Sequence, residues 1–104
     1  MAILLNQSFP TEMLDTLLKV TEEIGVRDDP PEGLIVHTIV QRAEGLQVVD
    51  VWDSKEQYDS FLETQLMPGF AKVAEAQGQD PQEVPLPPDP DIEEIKDIVR
   101  GRQT

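Results

Sequence analysis

The chain has no cysteine, one histidine and few aromatic residues, and each shortage excludes a class of chemistry. Its 104 residues include one tryptophan, one tyrosine and three phenylalanines. Without cysteine there can be no disulfide, no thiolate nucleophile and no zinc–sulfur site. The lone histidine, His37, leaves little for a histidine-based metal centre. The sequence therefore predicts no bound metal.

Basic residues are also scarce, which narrows the range of partners. Eight lysines and arginines stand against 21 acidic residues, and the formal net charge is −13. A field of this sign repels phosphate backbones and anionic lipid surfaces, so we expect neither nucleic-acid nor membrane binding. No apolar run approaches the ~20 residues of a membrane span, and the N-terminal segment lacks the basic start of a signal peptide. We expect a cytoplasmic protein.

The first third of the chain predicts a strand followed by a helix. The aliphatic run of residues 2–7 ends before a proline, which favours a strand. Thr11 is a candidate N-cap for the helix, and Gly25 is its candidate C-cap. The Asp-Asp-Pro-Pro run that follows must be a loop, because proline is excluded from central strands.

The middle of the chain predicts a β-hairpin that leads into a second helix. Strand two covers residues 34–42, a turn lies at Glu44-Gly45, and strand three covers residues 46–52. Ser54, with Gln57 three residues later, forms a capping box for helix two.

The second helix is predicted to be interrupted, and a last strand follows it. Pro68 should kink or restart the helix, and Gly78 should end it. Five prolines between residues 81 and 90 leave room only for a short edge strand at about residues 83–86. The predicted order within residues 1–88 is β-α-β-β-α-β.

Residues 89–104 form a predicted C-terminal extension with a short amphipathic helix at 91–100. Four apolar residues recur there at helical spacing, namely Ile92, Ile95, Ile98 and Val99. A lone helix of this length is marginal in water, so it should dock on the body or on a second subunit. A frayed tail is the alternative.

Alternation of side chains along the strands separates two faces of the hairpin. With a two-residue turn at Glu44-Gly45, His37 lies opposite Trp52. One face is then almost wholly aliphatic, with Val36, Thr38, Val40, Val49 and Val51, joined by Ile3 and Leu5. The other face is mixed, with Ile35, His37, Ile39, Val48, Asp50 and Trp52, joined by Leu4 and Asn6. A three-residue turn would instead move His37 to the aliphatic face.

Both faces are apolar enough to require cover, but two substantial helices can cover only one side of a four-stranded sheet. A homodimer that packs sheet against sheet would cover the other side. The alternative is a monomer in which the C-terminal helix lies across that face.

The segment Asp50-Val51-Trp52-Asp53-Ser54-Lys55-Glu56 resembles the acidic-x-Trp-x-Ser-x-Glu segment of antibiotic-biosynthesis-monooxygenase-like, dimeric α/β-barrel proteins. Pro-Pro-Glu-Gly-Leu-Ile before strand two and the Leu66-Met67-Pro68 break support the resemblance, which spans residues 2–86. It implies an α+β, ferredoxin-like protomer, a dimer whose two sheets close into a barrel, and a pocket between sheet and helices.

The resemblance also implies functional positions. Trp52 and Asn6 fall on positions that line the active site of cofactor-free oxygenases and haem-degrading relatives. The haem-degrading members place a histidine on helix two, and helix two of this chain has none. We therefore expect no haem and no other cofactor.

Each candidate site residue has a functional and a structural interpretation. Asp50 is costly to bury unless it is paired, solvated by a cavity or protonated. His37 is either a proton shuttle oriented by Asp50 or a half-buried side chain satisfied by a carbonyl or by Asp50. Trp52 and Tyr58 are pocket walls or core aromatics. Asn6 lines the pocket or bonds a neighbouring backbone.

Three classes of function fit these residues. The first is a cofactor-independent enzyme, an oxygenase, isomerase or cyclase, acting on a small cyclic or aromatic compound with His37 and Asp50 as the catalytic pair. The second is a non-catalytic carrier or sensor of such a molecule, and the third is a structural interaction dimer. The fold cannot choose among them, because one architecture hosts many chemistries.

Overall fold

A computed structural model describes residues 1–80 and 89–101 and confirms the α+β class. Its described elements follow the order β-α-β-β-α-β, but the last strand lies at Asp91–Glu94, beyond the predicted range of residues 1–88. The four strands form one antiparallel sheet in the order β2-β3-β1-β4, the ferredoxin-like arrangement. The elements are β1 (Ile3–Phe9), α1 (Leu14–Ile24), β2 (Leu34–Arg42), β3 (Gly45–Trp52), α2 (Lys55–Phe61), α3 (Met67–Ala76) and β4 (Asp91–Glu94).

The hydrophobic core lies between the sheet and the helices, in two clusters. The first contains Ile3, Leu5, Trp52 and Tyr58. The second contains Phe9, Leu17, Leu46 and Val48. Between the two clusters, each central strand contributes one buried polar residue, Gln7 from β1 and Asp50 from β3. The polar centre of the protein is therefore built into the middle of its core.

The predicted cap at the start of α1 is wrong, whereas the predicted cap at its end is confirmed. A single 3-10 turn, Thr11–Met13, precedes the helix, and the Thr11 hydroxyl accepts a hydrogen bond from Gln41 Nε2 at 3.2 Å. Gly25 has a φ of 78°, and its N–H bonds the carbonyls of Thr21 and Glu22. Glycine suits this left-handed conformation because it carries no Cβ.

The second helix begins and breaks where the sequence predicts. The Ser54 hydroxyl accepts a hydrogen bond from the Gln57 N–H at 3.2 Å, which is one half of the predicted capping box. The Gln57 side chain bonds the hydroxyl of Ser54, whose O–H donates to Gln57 Oε1 at 3.1 Å. A π-helical turn, Leu62–Leu66, separates α2 from α3, and Pro68 stands in the first turn of α3. Because proline has no N–H to donate, the widened turn allows the helix to restart around it.

The hairpin turn lies one residue earlier than predicted. Arg42 pairs with Gly45, so Ala43 and Glu44 form the loop, and His37 lies directly opposite Asp50 instead of opposite Trp52.

From Val36 to Arg42 the shift changes the pairing by two residues, an even number, so the predicted faces are preserved there. A bulge between Leu34 and Val36 changes the start of β2, where Leu34 pairs with Trp52 and packs on the first core cluster. The prediction that Ile35 lies on the mixed face is therefore wrong.

The predicted faces of strand one are wrong. Leu5 pairs with Asp50, and the buried residues of β1 are Ile3, Leu5, Gln7 and Phe9. Leu4 and Asn6 therefore lie on the aliphatic face. The strand extends two residues further than predicted, and burial of Phe9 with Ile3 and Leu5 places the polar Asn6 and Ser8 on the less buried side.

The predicted C-terminal helix is also wrong. Residues 91–94 form β4, which pairs antiparallel with β1, and residues 95–101 are neither helix nor strand. The pairing with β1 supplies hydrogen-bond partners for the backbone of this segment, whereas an isolated helix of the same length would be only marginally stable in water. Ile92 lies opposite Leu5 and packs on the first core cluster. The strand predicted at residues 83–86 lies outside the described residues.

Within residues 1–80 and 89–101, no helix has both the length and the apolar character that crossing a membrane requires.

We predict that Ser54→Ala lowers the free energy of unfolding by about 1 kcal/mol, because the substitution leaves the Gln57 N–H without its acceptor. Ser60→Ala is the matched control, since Ser60 is an exposed residue inside α2 and alanine is the better helix former. Urea denaturation followed by circular dichroism measures both. Equal effects of the two substitutions would contradict the capping role.

Candidate functional site

The site is built around a hydrogen-bond contact between side chains of two neighbouring strands. His37 Nδ1 lies 2.7 Å from Asp50 Oδ1, across the pairing of β2 with β3. The Asp50 side chain is 10% exposed and that of His37 is 29% exposed. The carboxylate is thus held in the protein interior while the imidazole reaches the surface of β2, an edge strand of the sheet.

The second oxygen of Asp50 also has a partner. Trp52 Nε1 donates to Asp50 Oδ2 at 3.4 Å, a long hydrogen bond, and Trp52 is 1% exposed. The buried carboxylate therefore accepts bonds from two side chains. With Nδ1 donating its proton to Asp50, Nε2 of His37 carries the lone pair and can accept a proton.

Tyr58 of α2 brings a third polar group close to the same carboxylate. Its hydroxyl is buried and has no hydrogen-bond partner among the described residues. Burial, followed by the negative charge of Asp50, raises the pKa of Tyr58 to about 12. The phenol is consequently a proton donor at neutral pH. Its ring packs edge-on against Trp52, with centroids 5.6 Å apart.

These groups line a cavity between the sheet and the helices. The centres of water-sized molecules can occupy a volume of about 70 Å³ in this cavity. It therefore has room for several waters or a small ring. His37, Asp50, Trp52 and Tyr58 all line it. The remaining lining is mainly apolar: Phe9, Leu17, Val20, Ile24, Val26, Leu34, Ile39, Val48, Phe61, Leu66 and Phe70, with Gln7 and Thr21.

The structure does not bring Asn6 to this cavity. Asn6 lies on the opposite face of β1, where its Oδ1 accepts a hydrogen bond from Gln47 Nε2. The neighbouring Gln7 is the β1 amide that lines the cavity, and sequence reasoning missed it. The alternation of Ile3, Leu5 and Phe9 around Gln7 was the signal that could have found it.

A second, open cleft lies on the outer side of the site, between α1 with its following loop and β2. It offers about 470 Å³ to the centres of water-sized molecules. Thr21, Val26, Leu34, His37 and Ile39 line both the cleft and the cavity. His37 therefore stands at the wall between the interior cavity and solvent.

The described part of the chain contains no group of three or more acidic or histidine side chains placed to hold a metal ion.

We predict that the lone tyrosine of the folded protein ionises with a midpoint near pH 12 instead of 10. Because the folded-state pKa is raised, stability is complete below pH 10 and is lost as the pH rises toward 12, by up to about 1.4 kcal/mol per pH unit. Ultraviolet difference absorbance measures tyrosinate, and the urea-unfolded chain is the control. A folded-state midpoint equal to that of the unfolded chain would contradict the buried environment.

The comparisons with known proteins concern the fold. No family model and no curated protein matches the chain. The structure of Rv0793 from Mycobacterium tuberculosis is 12% identical, with 95% of this chain and 97% of that chain covered and a TM-score of 0.56. A protein from Chloroflexus aurantiacus J-10-fl, named "putative Antibiotic biosynthesis monooxygenase", is 13% identical, with coverages of 96% and 95% and a TM-score of 0.55.

Both likenesses extend over nearly the whole of each chain. At these identities they establish the fold alone. The resemblance to antibiotic-biosynthesis-monooxygenase-like proteins that the segment from Asp50 to Glu56 predicts is therefore confirmed as a likeness of fold.

Proposed function

We propose that the protein binds a small cyclic or aromatic molecule in the cavity and acts on it by proton transfer, as a cofactor-independent isomerase or cyclase or, with dioxygen as the oxidant, as a cofactor-independent oxygenase. The observation that carries this proposal is the His37–Asp50 pair, placed in an otherwise apolar cavity beside Trp52 and Tyr58. A convergent set of few polar groups in an apolar pocket is typical of small-molecule sites.

His37 is the proposed proton shuttle and Asp50 the residue that orients it. The 2.7 Å contact fixes the imidazole ring and directs Nε2 away from the carboxylate. When His37 takes a proton from the bound molecule, Asp50 stabilises the imidazolium that forms. A carboxylate–imidazole pair of this kind supplies general acid–base catalysis.

Trp52 and Tyr58 are the proposed binding surfaces for the molecule. The indole offers a flat apolar wall whose orientation is fixed by its bond to Asp50 and by its packing against Tyr58. The unpartnered Tyr58 hydroxyl can donate to an oxygen of the ligand. Leaving such a group unsatisfied costs roughly 1–3 kcal/mol, which a ligand acceptor would recover.

We also propose that the protein is a homodimer formed through the aliphatic face of the sheet. No described helix covers this face, and Val36 and Val40 are 45% and 41% exposed. Val49, Val51 and Leu4 beside them are only half-buried. An apolar surface of this kind on both copies is self-complementary under a two-fold axis, which is the commonest oligomer symmetry.

A non-catalytic carrier or sensor is the second candidate, because the same groups could fix the orientation of a ligand without reacting with it. The partial exposure of His37 favours catalysis over mere orientation, since a shuttle must exchange its proton with solvent. A purely structural dimer would not explain why a carboxylate is buried beside a cavity.

We predict that His37→Ala and Asp50→Asn each reduce turnover by roughly 10²–10⁴-fold while ligand binding persists. Quinols, lactones and small phenols are screened by quenching of Trp52 fluorescence. Bound compounds are then followed for turnover with and without dioxygen, and without added flavin or metal. Gln65→Ala, at an exposed position of the π-helical turn, is the control that should retain full activity.

The result separates the three functions. Ligands that bind without any turnover favour the carrier. Turnover that is intact in both variants would assign His37 and Asp50 a structural role, and the absence of any ligand would favour the interaction dimer.

We predict that the wild type sediments at twice the chain mass and that Val49→Arg dissociates or unfolds it, because the substitution places an unpaired charge between two sheets. Val99→Arg is the matched control, since Val99 is 87% exposed on the C-terminal segment. Sedimentation velocity measures mass and circular dichroism reports folding. A folded, monomeric wild type would refute the dimer.

A further inference from the structure

The outer cleft differs in charge from the rest of the protein. The chain carries 21 acidic residues, yet none of the described carboxylates lines the cleft. Its two titratable residues are Arg27, from the loop after α1, and His37. The remaining lining is apolar except for Thr21. The approach to the cavity is thus lined by one arginine and by no described carboxylate, although the chain as a whole is strongly acidic.

Arg27 also has no ion-pair partner among the residues that the structure describes. Five other lysines and arginines form ion pairs, four with an acid within four residues or on the adjacent helix and one, Arg100, with Asp53. Among residues 1–80 and 89–101, only Arg27 and Arg42 do not. Asp28 and Asp29 follow Arg27 in the chain, and neither pairs with it.

We propose that this cleft binds the carboxylate group of the molecule that enters the cavity and that Arg27 is the residue that recognises it. The proposal rests on the proposed function and specifies its substrate class as single-ring carboxylic acids. A guanidinium presents paired donors that match a carboxylate bidentately, and a charge-assisted bond is about twice as strong as a neutral one.

The shared wall of the two spaces explains how one molecule can use both. His37, Val26, Leu34 and Ile39 line the cleft and the cavity alike. A ring inserted past these residues faces Trp52 and Tyr58, while a carboxylate attached to it stays in the cleft with Arg27. The charged group then remains hydrated on one side and is not drawn into the apolar interior, where it would be costly to bury.

The negative charge of the protein as a whole would make Arg27 selective for acids. A net charge of −13 disfavours any anionic ligand at long range, so binding of an acid requires a local cation. Arg27 supplies that cation at the opening beside His37. Neutral molecules of the same shape should bind independently of it.

The test compares acids with their primary amides. Benzoate and cyclohexanecarboxylate are titrated against benzamide and cyclohexanecarboxamide at neutral pH, and the single indole N–H resonance of Trp52 reports binding. We expect Arg27→Gln to weaken the acids by roughly 10–100-fold and to leave the amides unchanged. Arg42→Gln should affect neither, because Arg42 lies at the end of β2 and is the other arginine that forms no ion pair within the described part of the chain.

The outcomes distinguish this proposal from the proposed function. Acids that bind no more tightly than amides, or that are weakened equally by Arg27→Gln and Arg42→Gln, would overturn the role of Arg27 and leave the cavity intact as a site. If neither acids nor amides shift the Trp52 resonance, and the neutral compounds of the fluorescence screen also fail to bind, both proposals are overturned.

Discussion

Burial of the Asp50 carboxylate is the constraint on which the site depends. Charge in an apolar interior is tolerated only with partners, and both oxygens have one, His37 Nδ1 and Trp52 Nε1. The two hydrogen bonds restrict the rotamers of His37 and Trp52. The carboxylate thereby orients the imidazole and the indole, and its charge adds to burial, the larger cause, in raising the pKa of Tyr58.

Side chains alternate between the two sides of the sheet, so one side forms the core and the polar centre and the other forms the aliphatic face. The odd-numbered residues of β1 and the even-numbered residues of β3 face the helices and supply both the core and the polar centre. The alternate residues form the aliphatic face, which no described helix covers. Because neighbouring residues serve opposite faces, the register of every strand pair decides which polar group reaches the cavity.

Much of this arrangement follows from the sequence, and the failures have physical reasons. The capping box at Ser54 and the break at Pro68 are local signals, so they could be located without knowing the fold. The sequence also predicts that His37 and Asp50 share a face, because an error of two residues in the hairpin register leaves their faces unchanged.

The face of β1 and the nature of residues 91–94 were not predictable in the same way. Both depend on long-range pairing, since β1 lies between β3 and β4, which are distant in sequence. Residues 3, 4 and 5 are all apolar and give no preference for either face, so the only local signal is the alternation that continues through Gln7 to Phe9, beyond the predicted end of the strand. The spacing of the isoleucines likewise favours a helix, but residues 91–94 pair with the edge of β1 and form a strand.

The π-helical turn decides which side chains of the interrupted helix face the cavity. Tyr58 and Phe61 belong to α2, Phe70 belongs to α3, and Leu66 lies at the end of the turn between them. A π-helical turn contains one more residue than an α-helical turn, so the side chains after it point about 100° away from where an unbroken α-helix would place them. Phe61 and Phe70 would lie on opposite sides of a regular α-helix, and across this turn both line the same cavity.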